Sequence, residues 1–275
     1  MELRQCALQA LCLADPVEKA DSLKAAWANT PGIAVDMARA PVPSKPLPGR
    51  PARPTLVPPK DVPHRSPFTP QGMAGLLHSI CHIEFNAINL ALDAIWRYSG
   101  MPRDFYMDWL HVAREEACHF TLLREHMEAI GHRYGDFPAH DGLWTMCEKT
   151  KDDVVARMAL VPRTLEARGL DASPLIQGKL LKVGTPDALK AVDNLGIILR
   201  DEVGHVAVGN RWYRWLCERD GLDPLAHYRV LYRLHEAPRL KAPFNFEART
   251  RAGFTPEELA ALDPSPSPLP ELRPL

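Results

Sequence analysis

The stretch Glu115-Glu116-Ala117-Cys118-His119 carries a pattern that the chain repeats at Asp201-Glu202-Val203-Gly204-His205. Each stretch contains Glu-x-x-His preceded by a second acidic residue. On a helix, residues i and i+3 lie on one face, so each stretch can present a carboxylate and an imidazole to the same metal ion. A single Glu-x-x-His is a weak signal, whereas its duplication indicates a site built from two similar halves.

Two further carboxylates, Glu84 and Glu166, precede the repeated stretches. Glu84 lies in an apolar run where an unpaired charge would be costly. In chain order the residues read Glu, Glu-x-x-His, Glu, Glu-x-x-His, which is the ligand order of di-iron carboxylate four-helix bundles. This order predicts a site for two iron ions, with manganese as the alternative metal and with Glu116 and Glu202 as bridging ligands. The predicted ligands are Glu84, Glu116, His119, Glu166, Glu202 and His205.

Three other polar residues are predicted to support the ligands without binding metal. Glu115 precedes His119 by one helical turn, and Asp201 precedes His205 in the same way. Each acid is therefore predicted to accept the hydrogen bond from the non-ligating nitrogen of the histidine on its own helix. His82 is predicted to lie behind the site as a hydrogen-bonded polar residue.

Glu166 is the ligand with the strongest competing interpretation. Arg163 and Arg168 are close in sequence, so Glu166 could instead form an ordinary ion pair. In that case Glu148, on the same predicted helix, is the replacement ligand.

Composition narrows the class of protein. The chain has 275 residues, of which 46% are hydrophobic and 24% are charged, and this predicts one large helical domain with extensions. A net charge of -1 predicts no strong attraction to nucleic acid or to an anionic membrane, although it leaves room for a local basic patch. The six cysteines form no Cys-x-x-Cys pair, and neither a secretory signal nor a long apolar run occurs. Free thiols and a cytoplasmic location are therefore predicted.

Helix boundaries are indicated by capping residues, prolines and glycines. The third predicted helix has a kink or break at Pro162 and a stop at Gly169. About a dozen residues separate the second helix from the third, enough for a crossover along a bundle. The fold predicted is all-α, a ferritin-like four-helix bundle with a long crossover between helices two and three. The four helices are predicted at about 69–98, 102–130, 143–167 and 185–219.

Extensions are predicted at both ends of this bundle. The proposed division is an N-terminal helical extension, a proline-rich arm, the bundle and a C-terminal extension, at residues 1–40, 41–68, 69–222 and 223–275. The C-terminal extension is predicted to contain a helix at 225–234, irregular chain at 238–254 and a helical piece after Thr255. Its segment Pro264–Pro268 is predicted to be disordered.

Several phrases of the chain are similar to those of a known family. The chain resembles a bacterial family of ferritin-like proteins described as a domain of unknown function, over about residues 70 to 254. That resemblance implies a ferritin-like bundle and a di-metal centre that includes Glu166, and it implies no activity. The ligand order is also distantly similar to that of the non-haem di-iron hydroxylase that acts on a modified tRNA base. The matching phrases are His82-Ile83-Glu84, Leu90-Ala91-Leu92-Asp93, Asp108-Trp109-Leu110, Tyr134-Gly135-Asp136-Phe137, Leu143-Trp144, Arg157-Met158-Ala159-Leu160-Val161-Pro162, Glu166-Ala167-Arg168-Gly169-Leu170-Asp171, Asp201-Glu202-Val203-Gly204-His205 and Pro243-Phe244-Asn245-Phe246-Glu247-Ala248-Arg249.

The leading functional hypothesis is a non-haem di-iron oxidoreductase. It would activate dioxygen to oxidise or hydroxylate an organic substrate, such as a modified nucleoside or a small metabolite, with electrons from an external donor. A monomer or small homo-oligomer without a membrane partner is expected, and the net charge does not support a nucleic-acid partner. Two alternatives stay open, a ferritin-like protein that oxidises or stores iron and a binding protein stapled by metal. The long arm and the C-terminal extension fit a storage cage poorly.

Overall fold

A computed structural model describes residues 2–28 and 32–262 of the chain. Within these ranges the regular structure is helical and includes no strand, only two isolated β-bridges. The predicted all-α class is therefore confirmed. The α-helices of these ranges are α1 (Leu3–Leu11), α2 (Pro16–Ala28), α3 (Pro70–Arg97), α4 (Arg103–Ala129), α5 (Gly142–Lys149), α6 (Val154–Leu160), α7 (Ala167–Val183), α8 (Pro186–Arg219), α9 (Pro224–Leu234), α10 (Phe246–Arg251) and α11 (Pro256–Ala260).

Helices α3 and α4 form a long hairpin at the centre of the fold. The side chain of Thr69 accepts a hydrogen bond from the backbone N–H of Gly72 at 3.1 Å, and Pro70 occupies the first turn of α3. The chain then turns through Gly100, whose φ of 75° suits a residue without a side chain. Both helices match the predicted ones to within a residue or two. Their buried sides share a core that includes Leu77, Phe85, Ile88, Trp109 and Phe120.

The third predicted helix is wrong in its extent, because it consists of several pieces. Helix α5 ends at Lys149, α6 begins at Val154, and a π-helical segment, Val161–Glu166, joins α6 to α7. Pro162 lies inside that segment. Proline has no N–H to donate, and the wider π turn accommodates it without ending the helix.

Gly169 does not stop the helix, contrary to the prediction. Helix α7 continues to Val183 and ends at Gly184, which has a φ of 69°. Gly169 instead faces α8, where a Cβ atom built on it would lie 3.5 Å from Oε1 of Glu202, in ordinary van der Waals contact. Helix α8 packs against α4, α6, the π segment and α7, and α4 packs against α3. The segments that carry the predicted ligands, which are α3, α4, the π segment and α8, therefore share one interior.

The N-terminal helices and the proline-rich arm cover the α3–α4 hairpin. Helix α1 packs against α3, where Arg4 donates hydrogen bonds to the carbonyl groups of Ile95 and Trp96, and α2 packs against α4. The arm contains one short 3₁₀ turn, Pro59–Asp61, and is otherwise irregular. It is fastened by Arg50, which forms an ion pair with Asp141 at 2.6 Å. The described residues that precede α3 are therefore packed against the hairpin at several points.

The C-terminal segment contains more helix than predicted. The predicted helix at 225–234 is present as α9, and a helical piece after Thr255 is present as α11 with a capping box. The chain predicted to be irregular at 238–254 contains α10, which Asn245 caps by accepting a hydrogen bond from Ala248 at 3.1 Å. The predicted disordered segment Pro264–Pro268 lies outside the described residues.

Every helix of the described ranges is either too short or too polar to span a bilayer.

Candidate metal centre

Four separate segments bring the six predicted ligands into the protein interior. Helix α3 carries Glu84, the π segment carries Glu166, and the duplicated motifs lie on α4 and α8. Each of the six side chains is buried, with at most 8% of the residue exposed. We call Glu84, Glu116 and His119 the α4 half-site, and Glu166, Glu202 and His205 the α8 half-site.

The α4 half-site is a compact group of one imidazole and two carboxylates. Nδ1 of His119 lies 3.3 Å from Oε2 of Glu84 and 3.4 Å from Oε2 of Glu116. Potential ligand atoms of all three residues lie within 4.8 Å of one another. Because Glu84 comes from α3 and the other two residues come from α4, the α3–α4 hairpin alone builds this group.

Glu116 also belongs to a second group, which it forms with Glu202 and His205. Nδ1 of His205 lies 2.8 Å from Oε1 of Glu116 and 3.1 Å from Oε2 of Glu202. One oxygen of Glu116 therefore faces each histidine. This is the arrangement expected of a carboxylate that bridges two cations.

Glu166 lies near the other residues of the α8 half-site, but it is outside both groups of ligand atoms that lie within 4.8 Å of one another, and it forms no ion pair within the described residues. Its Oε2 atom is buried without a hydrogen-bond partner. Burial raises the pKa of Glu166 well above its usual range, and the nearby carboxylates of Glu202 and Glu116 add to the rise. The competing ion pair does not form, because Arg163 pairs with Glu258 at 2.5 Å. The replacement ligand Glu148 lies on α5, where it is half-exposed beside Lys151.

The charge balance of the cluster depends on protons when no cation is bound. Burial and the neighbouring Glu116 raise the pKa of Glu84 to about 8. Burial alone would also raise the pKa of Glu116, but the charges of His205 and His119 outweigh it and lower that pKa. Burial opposes protonation of both histidines as well, yet contacts with the surrounding carboxylates raise their pKa values. The cluster therefore concentrates negative charge that only protons or cations can neutralise.

The donor atoms fit a divalent transition metal. Oε2 of Glu116, Nδ1 of His119 and Oε2 of Glu166 are all buried without hydrogen-bond partners. Such atoms are costly in a protein interior unless something binds them. A mixed set of carboxylate oxygens and imidazole nitrogens suits iron, manganese or zinc better than calcium, which takes oxygen ligands.

Two outer carboxylates fix the histidines, but the predicted pairing within each helix is wrong. Nε2 of His119 donates to Oδ2 of Asp201 at 3.1 Å, and Nε2 of His205 donates to Oε2 of Glu115 at 2.9 Å. Each histidine thus uses the acid that precedes the other motif. With Nδ1 directed toward the site, Nε2 points away from its own helix and across to the neighbouring one.

His82 is hydrogen-bonded as predicted, but its hydrogen bonds do not reach the candidate ligands. Nδ1 of His82 donates to the hydroxyl of Tyr134 at 2.8 Å, and Asn86 donates to Nε2 at 3.0 Å. Burial lowers the pKa of His82 to about 3, so the ring is neutral. His82 is a hydrogen-bonded polar residue of the core, and its partners are not ligands.

Gly169 is a residue beside the site that the sequence interpretation missed, because it faces the side chain of Glu202, which a Cβ atom built there would meet at van der Waals distance. The signal available was a glycine located one residue past an Arg and three past Glu166, which was interpreted as a helix stop.

An all-helical fold and a buried cluster of carboxylates and imidazoles define the class of protein. Residues 12–260 match the model of a family described as "Protein of unknown function (DUF455)", and the chain belongs to this family. It is similar to a protein of Haemophilus influenzae described as "Uncharacterized protein". The two are 48% identical over 225 residues, which cover 79% of this chain and 77% of that protein. No solved structure matches.

Proposed function

We propose that the chain is a ferritin-like, non-haem di-iron oxidoreductase that uses dioxygen to oxidise or hydroxylate an organic substrate. The bundle would consist of α3, α4, the continuous run from α6 through α7, and α8. One observation carries the proposal, namely that the buried carboxylate of Glu116 is shared between two carboxylate–imidazole groups. When bound, two iron ions would supply the activation of dioxygen, with electrons from an external donor.

The residues of the chain hold, orient and isolate this centre. Asp201 and Glu115 keep the proton of each histidine on Nε2, which leaves the lone pair of Nδ1 available as a ligand. Glu84 and Glu166 provide one terminal carboxylate to each half-site. Burial of all six side chains excludes bulk water from the centre.

Storage of iron in a large shell is the less favoured alternative. A storage subunit needs free outer faces for assembly. Here α1 packs against α3, α2 packs against α4, and the proline-rich arm lies across the same hairpin. These elements occupy surface that a cage would need.

The first test is the metal content of anaerobically prepared protein supplied with ferrous iron. We expect two ions per chain, retained in the Glu148→Ala control, and reduced by about half or more when Glu202→Ala and His205→Ala are combined. Oxygen uptake by the iron-loaded protein should exceed that of the same ferrous iron in buffer. Two ions in the double variant would contradict the ligand set, and a many-subunit shell with continuing iron uptake would favour storage.

A further inference from the structure

A second feature of the molecule is a cavity of about 690 Å³ between α9 and the segment that contains α10 and α11. None of the six candidate metal ligands lines it. Its volume is in the range of small-molecule sites, which span roughly 300–1,000 Å³.

The charge of the cavity lining is strongly positive. Among the lining residues that the structure describes, Glu258 is the one acidic residue. Six lining residues are basic, namely Arg163, Arg229, Arg233, Arg239, Lys241 and Arg249. Glu258 offsets the charge of Arg163, which it contacts at 2.5 Å, and it also contacts Arg214 at 2.8 Å, so most of the positive charge of the lining is left without a carboxylate. The whole-chain charge of -1 therefore conceals a local concentration of positive charge.

The basic residues differ in how far they are committed to other partners. Arg249 is fully buried and pairs with Asp171 at 2.6 Å, yet its Nη1 atom has no hydrogen-bond acceptor. Arg229, Arg233, Arg239 and Lys241 are exposed at the cavity, and none forms an ion pair or a side-chain hydrogen bond with another residue of the described ranges. Cations that are held together without anionic partners repel one another, and a bound anion would relieve that repulsion.

Aromatic rings form the other part of the lining. Tyr228 and Tyr232 lie with ring centroids 5.9 Å apart, and Phe244 lies under the guanidinium of Arg249 at 5.4 Å. The hydroxyl of Tyr228 is hydrogen-bonded to Thr164 at 2.9 Å, and that of Tyr232 donates to a backbone carbonyl at 3.0 Å. These bonds hold the tyrosine rings in place as surfaces on which a planar group can stack.

We infer that this cavity binds a phosphate-bearing ligand with a planar ring, of the nucleotide class. The uncommitted basic residues and Nη1 of Arg249 would hold the phosphate, since charge-assisted hydrogen bonds to phosphate are the strongest that these groups make. The ring would stack on the aromatic lining. The ligand is either a free nucleotide or a nucleotide unit of a single-stranded nucleic acid, and both present the same chemistry. This site is independent of whether the six-residue cluster holds metal.

Calorimetric titration of the full-length protein at low ionic strength tests the inference. The probes are the common nucleoside 5′-monophosphates, the corresponding nucleosides, inorganic phosphate and a short single-stranded oligonucleotide. At least one monophosphate should bind with one site per chain and about tenfold or more tighter than its nucleoside or inorganic phosphate, because it uses both parts of the lining. Tighter binding of the oligonucleotide, with displacement of the monophosphate, would identify the nucleic acid as the source, and the reverse would identify the free nucleotide.

Charge-reversal variants locate the site. Arg233→Glu combined with Arg239→Glu should weaken binding of the monophosphate about tenfold or more. The matched control is Lys179→Glu combined with Lys182→Glu, which makes the same change of charge on the exposed side of α7 and should leave affinity within about twofold. All four side chains are exposed, so circular dichroism should show unchanged helicity.

A ring variant separates stacking from charge. Phe244→Leu keeps apolar bulk, so it should weaken binding of the monophosphate while leaving that of inorganic phosphate unchanged. The inference is overturned if no monophosphate or oligonucleotide binds to the wild type, if the control pair weakens binding as much as the cavity pair, or if inorganic phosphate binds as tightly as the monophosphates.

Discussion

The α4 and α8 half-sites share one sequence pattern but differ in how their terminal carboxylate is held. In the α4 half-site, Glu84 projects from the regular helix α3 and lies 3.3 Å from Nδ1 of His119. In the α8 half-site, Glu166 ends a π-helical segment, forms no ion pair within the described residues and leaves one oxygen without a hydrogen bond. Two copies of one pattern therefore do not produce identical sites.

The difference indicates that the α4 half-site is preformed and that the α8 half-site can change conformation. The α3–α4 hairpin is backed by α1, α2 and the arm, so its ligands are held before any metal arrives. The π segment is a local irregularity of the kind that is frequent at functional sites. We therefore expect the α4 half-site to bind its ion more tightly, and the α8 half-site to adjust when metal or substrate binds.

The largest effect is expected from Glu116, which belongs to the α4 half-site and also contacts His205 of the α8 half-site. Glu116→Ala removes an oxygen from each group and leaves His119 and His205 without their common partner. Metal content should fall from two ions per chain toward none, since each half-site would be left with fewer ligands. Elemental analysis of anaerobically loaded protein measures this, with Glu148→Ala as the control. Retention of one full ion would mean that the half-sites are independent.

Replacing the terminal carboxylates one at a time tests the asymmetry itself. Stepwise removal of metal by a chelator should release the two ions of the wild type at different chelator concentrations. Glu166→Gln should widen the gap between the two chelator concentrations, because it lowers the metal affinity of the weaker α8 half-site by about tenfold or more. Glu84→Gln should narrow or reverse that gap, because it lowers the affinity of the α4 half-site. If both variants change the separation in the same direction, the two half-sites are not distinct in the way that their ion contacts indicate.

Substitution of the outer carboxylates Asp201 and Glu115 should lower metal affinity by a smaller amount, and it shows which carboxylate supports which histidine. Asp201 lies in the α8 motif, but its partner is His119. Asp201→Asn should therefore lower the affinity of the α4 half-site for its ion by about 10- to 100-fold. Binding is measured in a His205→Ala background, where only the α4 half-site is intact, and again in a His119→Ala background. Glu115→Gln should show the opposite dependence on background. Effects that follow the same-helix pairing would contradict the crossed hydrogen bonds.

The ligand set could be predicted from the sequence because its spacing is a property of single helices. The i, i+3 relation between Glu116 and His119 is settled within α4 and requires no knowledge of its neighbours. The crossed pairing of Glu115 and Asp201 could not be predicted in this way. It depends on the direction in which Nε2 points once Nδ1 faces the interior, and that direction is set by the packing of α4 against α8.

Helix boundaries could likewise be predicted where local residues determine them, and could not be predicted where tertiary packing determines them. Helices α3 and α8 begin at Thr-Pro pairs, Thr69-Pro70 and Thr185-Pro186, whose capping is local. The run from α5 to α7 was not predictable, because Pro162 and Gly169 are ordinary helix breakers by propensity. Packing against α8 overrides that propensity, so the helix continues through both residues.

The packing of the π segment against α8 is itself open to test at Gly209, where the effect is on stability and smallest in size. A Cβ atom at this position would lie 2.6 Å from Cβ of Pro162, and the proline ring cannot rotate away. Gly209→Ala should therefore destabilise the protein by about 1–3 kcal/mol and loosen the ion beside Glu166. Gly204, on the same helix, is exposed with open space around it, so Gly204→Ala should stabilise by roughly 0.5–1 kcal/mol through helix propensity alone. Denaturant unfolding of the metal-loaded proteins measures both changes. Equal stability of the two variants would show that the π segment does not rest on α8, and the contrast between a formed and an adaptable half-site would then lose its structural basis.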